Sequence, residues 1–598
     1  MTKATAALNL DRTKSFRVGI LSLFSSAFVL LLIARLGVLQ LDQYHRWITL
    51  AKKQHSTSIQ VLGSRGSILD TEGRPLAVSV KSFSVGVRPK DITDRARFSK
   101  AISSELGENP KILLAKLETQ SNFIWLGTQL EEDTVKRIKA SPFARDLAIV
   151  PDFKRVYPQG SIAGALLGRV GRDNNGVAGL EFAFENKLRA KPITFAVRRD
   201  AKGSLLTEHA EDIGDPDSLV GSLLAQLPSL FPEPVFASAN KNETRPPSFT
   251  LRNEGQNIVS TIDSVVQSIL EDELEQGKKL SQARRTFGVV MDAESGAVLA
   301  MGQTPIFDPN ERDVASPELF RNVILQDAFE PGSTFKPFVI ASAIDSGLAS
   351  LEEVIDCENG KFAVGPVKIG DAHPQGLLSV RDVLIRSSNI GTAKLGLRVG
   401  GAKLYKTLRD FGFGRQTQQQ ISGETKGILS NGEKWKPMDV ANKSFGQGVS
   451  VSSLQLVSAF SAFANDGEVA SPYFVKGSKP ERSRVISAST ASQLRDALHG
   501  VVLDEHGTGS KAAIPGVDIY GKTGTAQKAS ATGGYDPNHV LSSFIGVADG
   551  TNVGIPRKLV VFIAVDEPGV TPRWGGTLAA PIFKRSISRT FSYLMGRS

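Results

Sequence analysis

Across 598 residues the chain has a single cysteine, Cys357. That excludes a disulfide-stapled scaffold, a Cys-rich zinc site and an iron–sulfur cluster. Histidine is scarce too, with seven in all and no H-E-x-x-H, so a zinc hydrolase of that pattern is excluded. Charge of either sign is in little excess: 71 Lys and Arg against 61 Asp and Glu leave a net +10. No basic block is interleaved with aromatics, so no motif marks a nucleic-acid binder. A mildly basic ectodomain facing an anionic polymer or a membrane surface fits the same balance. Apolar residues are not lacking. At 41% hydrophobic and 22% charged the composition is that of folded cores, and the length suggests three or four structural units.

The first 17 residues carry Lys3, Arg12, Lys14 and Arg17 against one acid, Asp11. Val18 to Ala34 is then uncharged, and Leu36 to Leu39 continues the apolar run beyond Arg35. About 20 such residues cross a bilayer when a flanking arginine snorkels to the interface. The alternative, a cleaved signal peptide, has an apolar core of ~7–15 residues and a small-x-small cleavage site, for which Arg35-Leu36-Gly37 is poor. The expectation is a cytoplasmic tail at 1–17, a transmembrane helix at 18–40 and an extracytoplasmic remainder.

Residues 41–208 mix β-like runs (Phe83 to Val87) with helix-like ones (Lys111 to Thr119), which suggests an α+β region. Six prolines between 216 and 247, among many Ser and Asn, predict an exposed linker or insertion at 209–257. The apolar run Leu219 to Phe231 within it reads as packing on its own domain. From 258 to 598 the pattern is that of a large α/β domain. Phe287 to Met291 and Ala297 to Met301 flank a turn and predict a hairpin. Helical stretches follow at Val380 to Leu397, broken at Ser387 to Asn389, and at Ser452 to Asn465. Strands return at Val540 to Val547 and Leu559 to Val565, so the sheet should draw on both ends of the domain.

Three short motifs carry chemistry. Glu330-Pro331-Gly332-Ser333-Thr334-Phe335-Lys336 places Ser333 and Lys336 three apart at a helix start, on one face and within reach of each other. A serine needs an adjacent base to act as nucleophile, and a lysine serves if burial leaves it neutral. Ser387-Ser388-Asn389 offers a hydroxyl and an amide two residues apart on a turn, for proton relay and for holding a substrate amide. Lys522-Thr523-Gly524-Thr525, read as an edge strand, presents a cation and two hydroxyls suited to a carboxylate, with a glycine that lets a ligand approach. A rival overlaps the third motif: Gly516 to Thr523 satisfies G-x-x-x-x-G-K-[ST], the phosphate-binding loop of ATPases, and Val560 to Glu567 imitates a magnesium-holding acidic strand. Against it, the loop needs a buried strand before its first glycine and a helix straight after Lys-Thr, and neither reads well here.

In this order, S-x-x-K, S-x-N and K-T-G are the active-site set of penicillin-binding proteins and serine β-lactamases. The chain resembles a class B penicillin-binding protein, a peptidoglycan D,D-transpeptidase. Arg65 to Asp70 with Gly73 to Ala77, Arg155-Val156-Tyr157-Pro158 and Gly176 to Glu181 look like that family's pedestal motifs. Thr261-Ile262-Asp263, Phe445-Gly446-Gln447-Gly448 and Ser543-Phe544-Ile545-Gly546 look like elements of its catalytic domain. The resemblance implies an α/β multidomain fold: one N-terminal transmembrane helix, an α+β pedestal (dimerisation-like) domain, and a transpeptidase domain of antiparallel sheet flanked by helices. It implies that Ser333 attacks the donor stem peptide, Lys336 is its base, and the Ser333 and Thr525 amides form the oxyanion hole. Ser387 would relay a proton, Asn389 would hold the donor amide and support Lys336, and Lys522, Thr523, Gly524 and Thr525 would bind the terminal carboxylate. Burial beside Lys522 should depress the Lys336 pKa by desolvation and by repulsion. No metal or organic cofactor is implied. β-Lactams, D-alanyl-D-alanine stem peptides, a polytopic glycosyltransferase and other division proteins are the implied partners. The single span, the long pedestal, the K-T-G-T-A-Q-K form and the lack of a carboxy-terminal extension look most like the division-specific branch of the inner membrane. The alternatives are the elongation-specific branch, and a serine β-lactamase or β-lactam sensor.

Overall fold

A computed structural model describes all residues except 1, 44–45, 48–55, 62, 172, 192, 200–204, 207–252, 312–316, 418–419, 479–480, 531–532 and 597–598. Most of the predicted 209–257 insertion therefore lies outside the described residues.

Helix α1 (Thr2–Gly37) continues through a π-helical turn at Val38–Asp42. Its stretch Phe16–Asp42 has 27 residues and a mean hydropathy of 2.2, and none of its residues is buried by protein. At ~1.5 Å per residue such a helix exceeds the ~30 Å hydrocarbon core, so it fits a single-pass anchor.

The chain divides into two compact units, each assembled from separate segments. The first comprises residues 1–63, 81–152 and 191–253. Its core gathers Phe83, Val85, Phe98, Ile102, Leu113, Leu126, Val135 and Leu147, among others, from strands and three short helices. Local chemistry sets two of those helices. Asp94 caps Arg95–Leu106 by accepting from the Arg97 amide, and Asn109 caps Pro110–Leu117, whose first residue is a proline. Gly107, at φ 67°, ends the earlier helix in the left-handed conformation that favours glycine.

The second unit comprises residues 64–80, 153–190 and 254–598. At its centre is a five-stranded antiparallel sheet of β1 (Arg285–Asp292), β2 (Val298–Gln303), β3 (Asp518–Ala529), β4 (Tyr535–Asp549) and β5 (Lys558–Asp566). The order is β2-β1-β5-β4-β3, so the first hairpin lies at one edge and the K-T-G strand at the other. Alternation along each strand divides the core. Val290, Val561, Ile563 and Phe544 face α2 (Ser264–Ser281) and α6 (Gly575–Met595). Val289, Met291, Phe562 and Ile545 belong to the larger core of the helical block, with Phe338, Leu456 and Phe460. With both faces covered, the strands read as nearly continuous apolar runs, and β2 is buried at every residue.

The helical stretch read at Val380 to Leu397 is two helices, α4 (Val380–Ile385) and α5 (Asn389–Val399), with the S-x-N triplet at their junction. The phosphate-loop alternative is corrected here. Gly521, Lys522 and Thr523 lie inside β3, which pairs with β4 from Asp518 to Ala529, and no helix follows them. The Lys522 side chain is fully enclosed, so it could not reach a phosphate from that strand.

Candidate functional site

Three elements converge on a cleft of about 390 Å³ in the second unit. Ser333 sits in a 3₁₀ turn, Gly332–Phe335, that runs into α3 (Lys336–Asp345). The turn is held at a glycine on each side. The Gly332 amide donates to the Gly446 carbonyl at 3.2 Å, and a Cβ on Gly446 would overlap the Gly332 backbone. Phe335 and Phe338 anchor the turn in an aromatic cluster with Phe411 and Phe413. Ser333 is thereby left half-exposed at the cleft wall while Lys336 is wholly buried beneath it.

Ser387 lies between α4 and α5 with φ 63°, a left-handed backbone that a non-glycine residue adopts only when its surroundings impose it. The Lys336 Nζ donates to its carbonyl at 2.5 Å and to its hydroxyl at 3.1 Å, and the Lys522 Nζ donates to the same hydroxyl at 2.9 Å. The Ser387 Oγ thus sits between two fully buried lysines. The residues that follow it are held by Asp371. Its carboxylate accepts from the Ser388 hydroxyl at 2.7 Å and from the Asn389 and Ile390 amides at 2.5 and 3.0 Å, covering the orphan donors at the start of α5. The Ser388 hydroxyl also accepts from the Gly391 amide, as a helix cap.

Among the described residues the lysines have no acid partner within ion-pair distance, so burial decides their charge. It pushes Lys336 down to about 7, against the upward pull of the Asp371 charge. Burial, and after it repulsion from Lys336, holds Lys522 well below the usual lysine range. Repulsion between the two amines is mutual and, with burial, favours loss of a proton from the pair.

On β3, Thr523 Oγ1 lies 2.7 Å from Thr508 Oγ1, and Thr525 Oγ1 accepts from the Gly575 amide at 3.3 Å. Gly524 serves packing as well as access. A Cβ there would come 2.5 Å from Ser543 Oγ and 2.8 Å from Thr334 Cγ2, so the strand can close on the Ser333 turn only without a side chain. Ser333, Ser387, Asn389, Thr523, Gly524 and Thr525 line the cleft together, with Lys336 and Lys522 directly behind it.

Two pairings expected from sequence are absent among the described hydrogen bonds. None joins Ser333 to Lys336, whose amine is turned to Ser387. Asn389 does not support Lys336, because its Nδ2 donates to the Gly370 carbonyl at 2.9 Å. Sequence reasoning also passed over Asp371, Thr508, Arg386 and Trp574, all of which line the cleft. Gly446 was noticed only as part of a motif, and its left-handed φ of 81° is the physical signal behind it.

Comparison with known proteins agrees with this arrangement. Residues 286–588 match the penicillin-binding protein transpeptidase domain and residues 60–218 the penicillin-binding protein dimerisation domain. The chain is 31% identical over 580 residues to the probable peptidoglycan D,D-transpeptidase PenA of Neisseria meningitidis, covering 95% of this chain and 92% of that protein. It is 31% identical to stage V sporulation protein D of Bacillus subtilis, over 94% of this chain and 83% of that protein. The crystal structure of penicillin-binding protein 3 from Mycobacterium tuberculosis complexed with aztreonam superposes with a TM-score of 0.64 at 25% identity, over 90% of this chain and 97% of that one. Similarity of this extent, spanning both matched domains, places the chain among the class B penicillin-binding proteins.

Proposed function

We propose that Ser333 is the nucleophile through which this D,D-transpeptidase cross-links peptidoglycan stem peptides. The observation that carries the reading is the Ser387 hydroxyl held between two buried lysines at the cleft that Ser333 lines. With its pKa near 7, about half of Lys336 is neutral at neutral pH. A neutral amine has two N–H groups and one lone pair. Both N–H groups are used on Ser387, so the lone pair remains to take the Ser333 proton as Oγ attacks the donor carbonyl. The Ser333 and Thr525 amides then hold the oxyanion. Ser387 accepts from both lysines, which leaves its own proton for the departing D-alanine nitrogen, and the proton that Lys336 took from Ser333 restores the Ser387 hydroxyl. The donor's terminal carboxylate lies against Thr523 and Thr525, and its charge favours the protonated form of Lys522 behind them. An amine of a second stem peptide resolves the acyl-enzyme.

One further observation favours transfer over hydrolysis. Among the described residues lining the cleft, Asp371 is the only carboxylate, and its oxygens are committed to Ser388, Asn389 and Ile390. It is not available to activate water against the acyl-enzyme, so β-lactams should leave a lasting adduct on Ser333 rather than be turned over. Aztreonam and ampicillin occupy the related mycobacterial protein.

The septal role, with the catalytic unit on the periplasmic side of the inner membrane and a glycosyltransferase as partner, rests on the resemblance. Depletion should give filaments; round cells would indicate the elongation branch instead. For the nucleophile the test is covalent labelling by a fluorescent penicillin. Labelling is expected to vanish in Ser333→Ala, and labelling that survives removes Ser333 from the role.

A further inference from the structure

Cations around the cleft are nearly all accounted for. Arg381, on α4, pairs with Glu352 and Asp496, Lys394 with Glu358, and Arg398 with Glu353. Lys336 and Lys522 share Ser387. Lys511 also lines the cleft without an ion pair among the described residues but is exposed, so Arg386, between α4 and Ser387, is the shielded exception. It lines the cleft and is half-buried, its Nε is shut off from solvent without a hydrogen-bond partner, and its guanidinium makes no ion pair among the described residues. Asp371 lines the same cleft but is occupied at the start of α5. A shielded guanidinium N–H without an acceptor is costly, and such a group in a folded protein calls for an explanation. The planar fork of donors matches a carboxylate better than any other common group.

The geometry points to Arg386 as a specificity residue that binds a second carboxylate, on the peptidyl part of the donor, when a stem peptide fills the cleft. This rests on the reading of the cleft as the donor site. The donor's terminal carboxylate is provided for by β3, with Thr523 and Thr525 in the cleft and Lys522 behind them, so an arginine from a different element serves an additional anion. Stem peptides can offer one at two places, the backbone carboxylate of a γ-linked second residue or a side-chain carboxylate on the third. Either becomes neutral on amidation. Arg386 therefore makes the enzyme discriminate between free-acid and amidated donors.

The test uses the full chain in detergent and synthetic pentapeptides ending in D-alanyl-D-alanine. One donor has both carboxylates free, one is amidated at residue 2, and one at residue 3. The rate of acyl-enzyme formation on Ser333 is followed by intact-protein mass spectrometry. The parent should lose about tenfold to a hundredfold with one of the two amidated donors, which identifies the carboxylate. In Arg386→Gln the ratio between that donor and the free acid should fall to near one, and Arg386→Lys should restore part of it. Equal rates for all three donors on the parent overturn the assignment of Arg386 while upholding the donor site. So does a ratio unchanged in Arg386→Gln, or an equal loss with all donors and with penicillin, which would mark a structural role. If no donor acylates the parent, the donor-site reading falls and this inference with it.

Discussion

Two clusters of buried cations among the described residues of the second unit are handled in opposite ways. Arg65 and Arg155, with side chains about 1% exposed, converge on Glu181 at 2.6 and 2.7 Å, and Arg65 also reaches Glu185 at 2.6 Å. Two positive charges meet two negative ones, and Arg155 further donates to the Gly66 carbonyl. Burial, reinforced by the Glu181 charge, pushes the neighbouring Tyr157 hydroxyl far above its ordinary value, so it stays a neutral donor to Glu181. At the cleft, Lys336 and Lys522 are buried as deeply with no acid in ion-pair contact among the described residues. In the first place charge is retained because it is compensated. In the second it is not compensated, and the cheapest response is for a proton to leave. The same burial that makes an arginine cluster a piece of architecture makes a lysine pair a source of basicity.

The largest expected effect tests the second half of that contrast. Lys336→Arg keeps a positive charge but cannot give up its proton, so it should lower the second-order rate of penicillin acylation about 10³–10⁴-fold, as Lys336→Ala does. If folded Lys336→Arg stays within about tenfold of the parent, under ~1.4 kcal/mol of lost transition-state stabilisation, then charge alone suffices and the base lies elsewhere.

Next in size is the first half. Glu181→Gln leaves two buried guanidinium groups short of an anion, and breaking such a pair costs about 3–5 kcal/mol. Denaturant unfolding of the purified protein should show that loss. Lys336→Met removes a buried amine that has no acid partner among the described residues, at the expense of its hydrogen bonds to Ser387, and should cost clearly less than the loss of Glu181. Comparable destabilisation by both substitutions would dissolve the distinction between the two sites.

Much of this was legible before the structure. The K-T-G segment reads as an edge strand, and the apolar runs at Val540 and Leu559 mark the next two strands inward from it. The break between α4 and α5 was visible as polar residues inside an apolar period. Contacts made by long loops were not legible. Nothing in Asp371-Ala372-His373 announces that a carboxylate 17 residues before Ser388 will cap its helix, and nothing in Thr508 announces a bond to Thr523. Nor could spacing alone show that Lys336 turns to Ser387. The three-residue offset puts Ser333 and Lys336 on one face, but which acceptor the amine takes depends on a backbone at φ 63° brought in from another element. The division of the chain into units is another case. The pedestal motifs around Arg65, Arg155 and Glu181 are far apart in sequence, yet they lie in the same compact unit as the catalytic sheet, because the ion cluster that joins them is tertiary.

The smallest effect, and the finest probe of the contrast, concerns the one acid that acts on Lys336 from a distance. Asp371 is not ion-paired with the lysine, but its charge opposes the desolvation that lowers the Lys336 pKa. Since only the neutral amine accepts the Ser333 proton, acylation should rise with pH as Lys336 deprotonates near 7 and level off above it. Asp371→Asn removes the opposing charge and so should lower that pKa, moving the rising limb toward more acidic pH. An asparagine oxygen can still accept from the Asn389 and Ile390 amides, so the start of α5 retains much of its cap. The sign in stability follows the same proton. The unfolded lysine titrates near its ordinary 10.5. Between about 7 and that value the unfolded chain binds more protons, and the folded state gains stability as pH rises. In Asp371→Asn this gain should begin at lower pH. The check is the pH profile of penicillin acylation for parent and variant, with unfolding free energies measured alongside. A limb that stays in place or moves toward alkaline pH would show that Asp371 works only as a helix cap, and that burial alone sets the Lys336 proton.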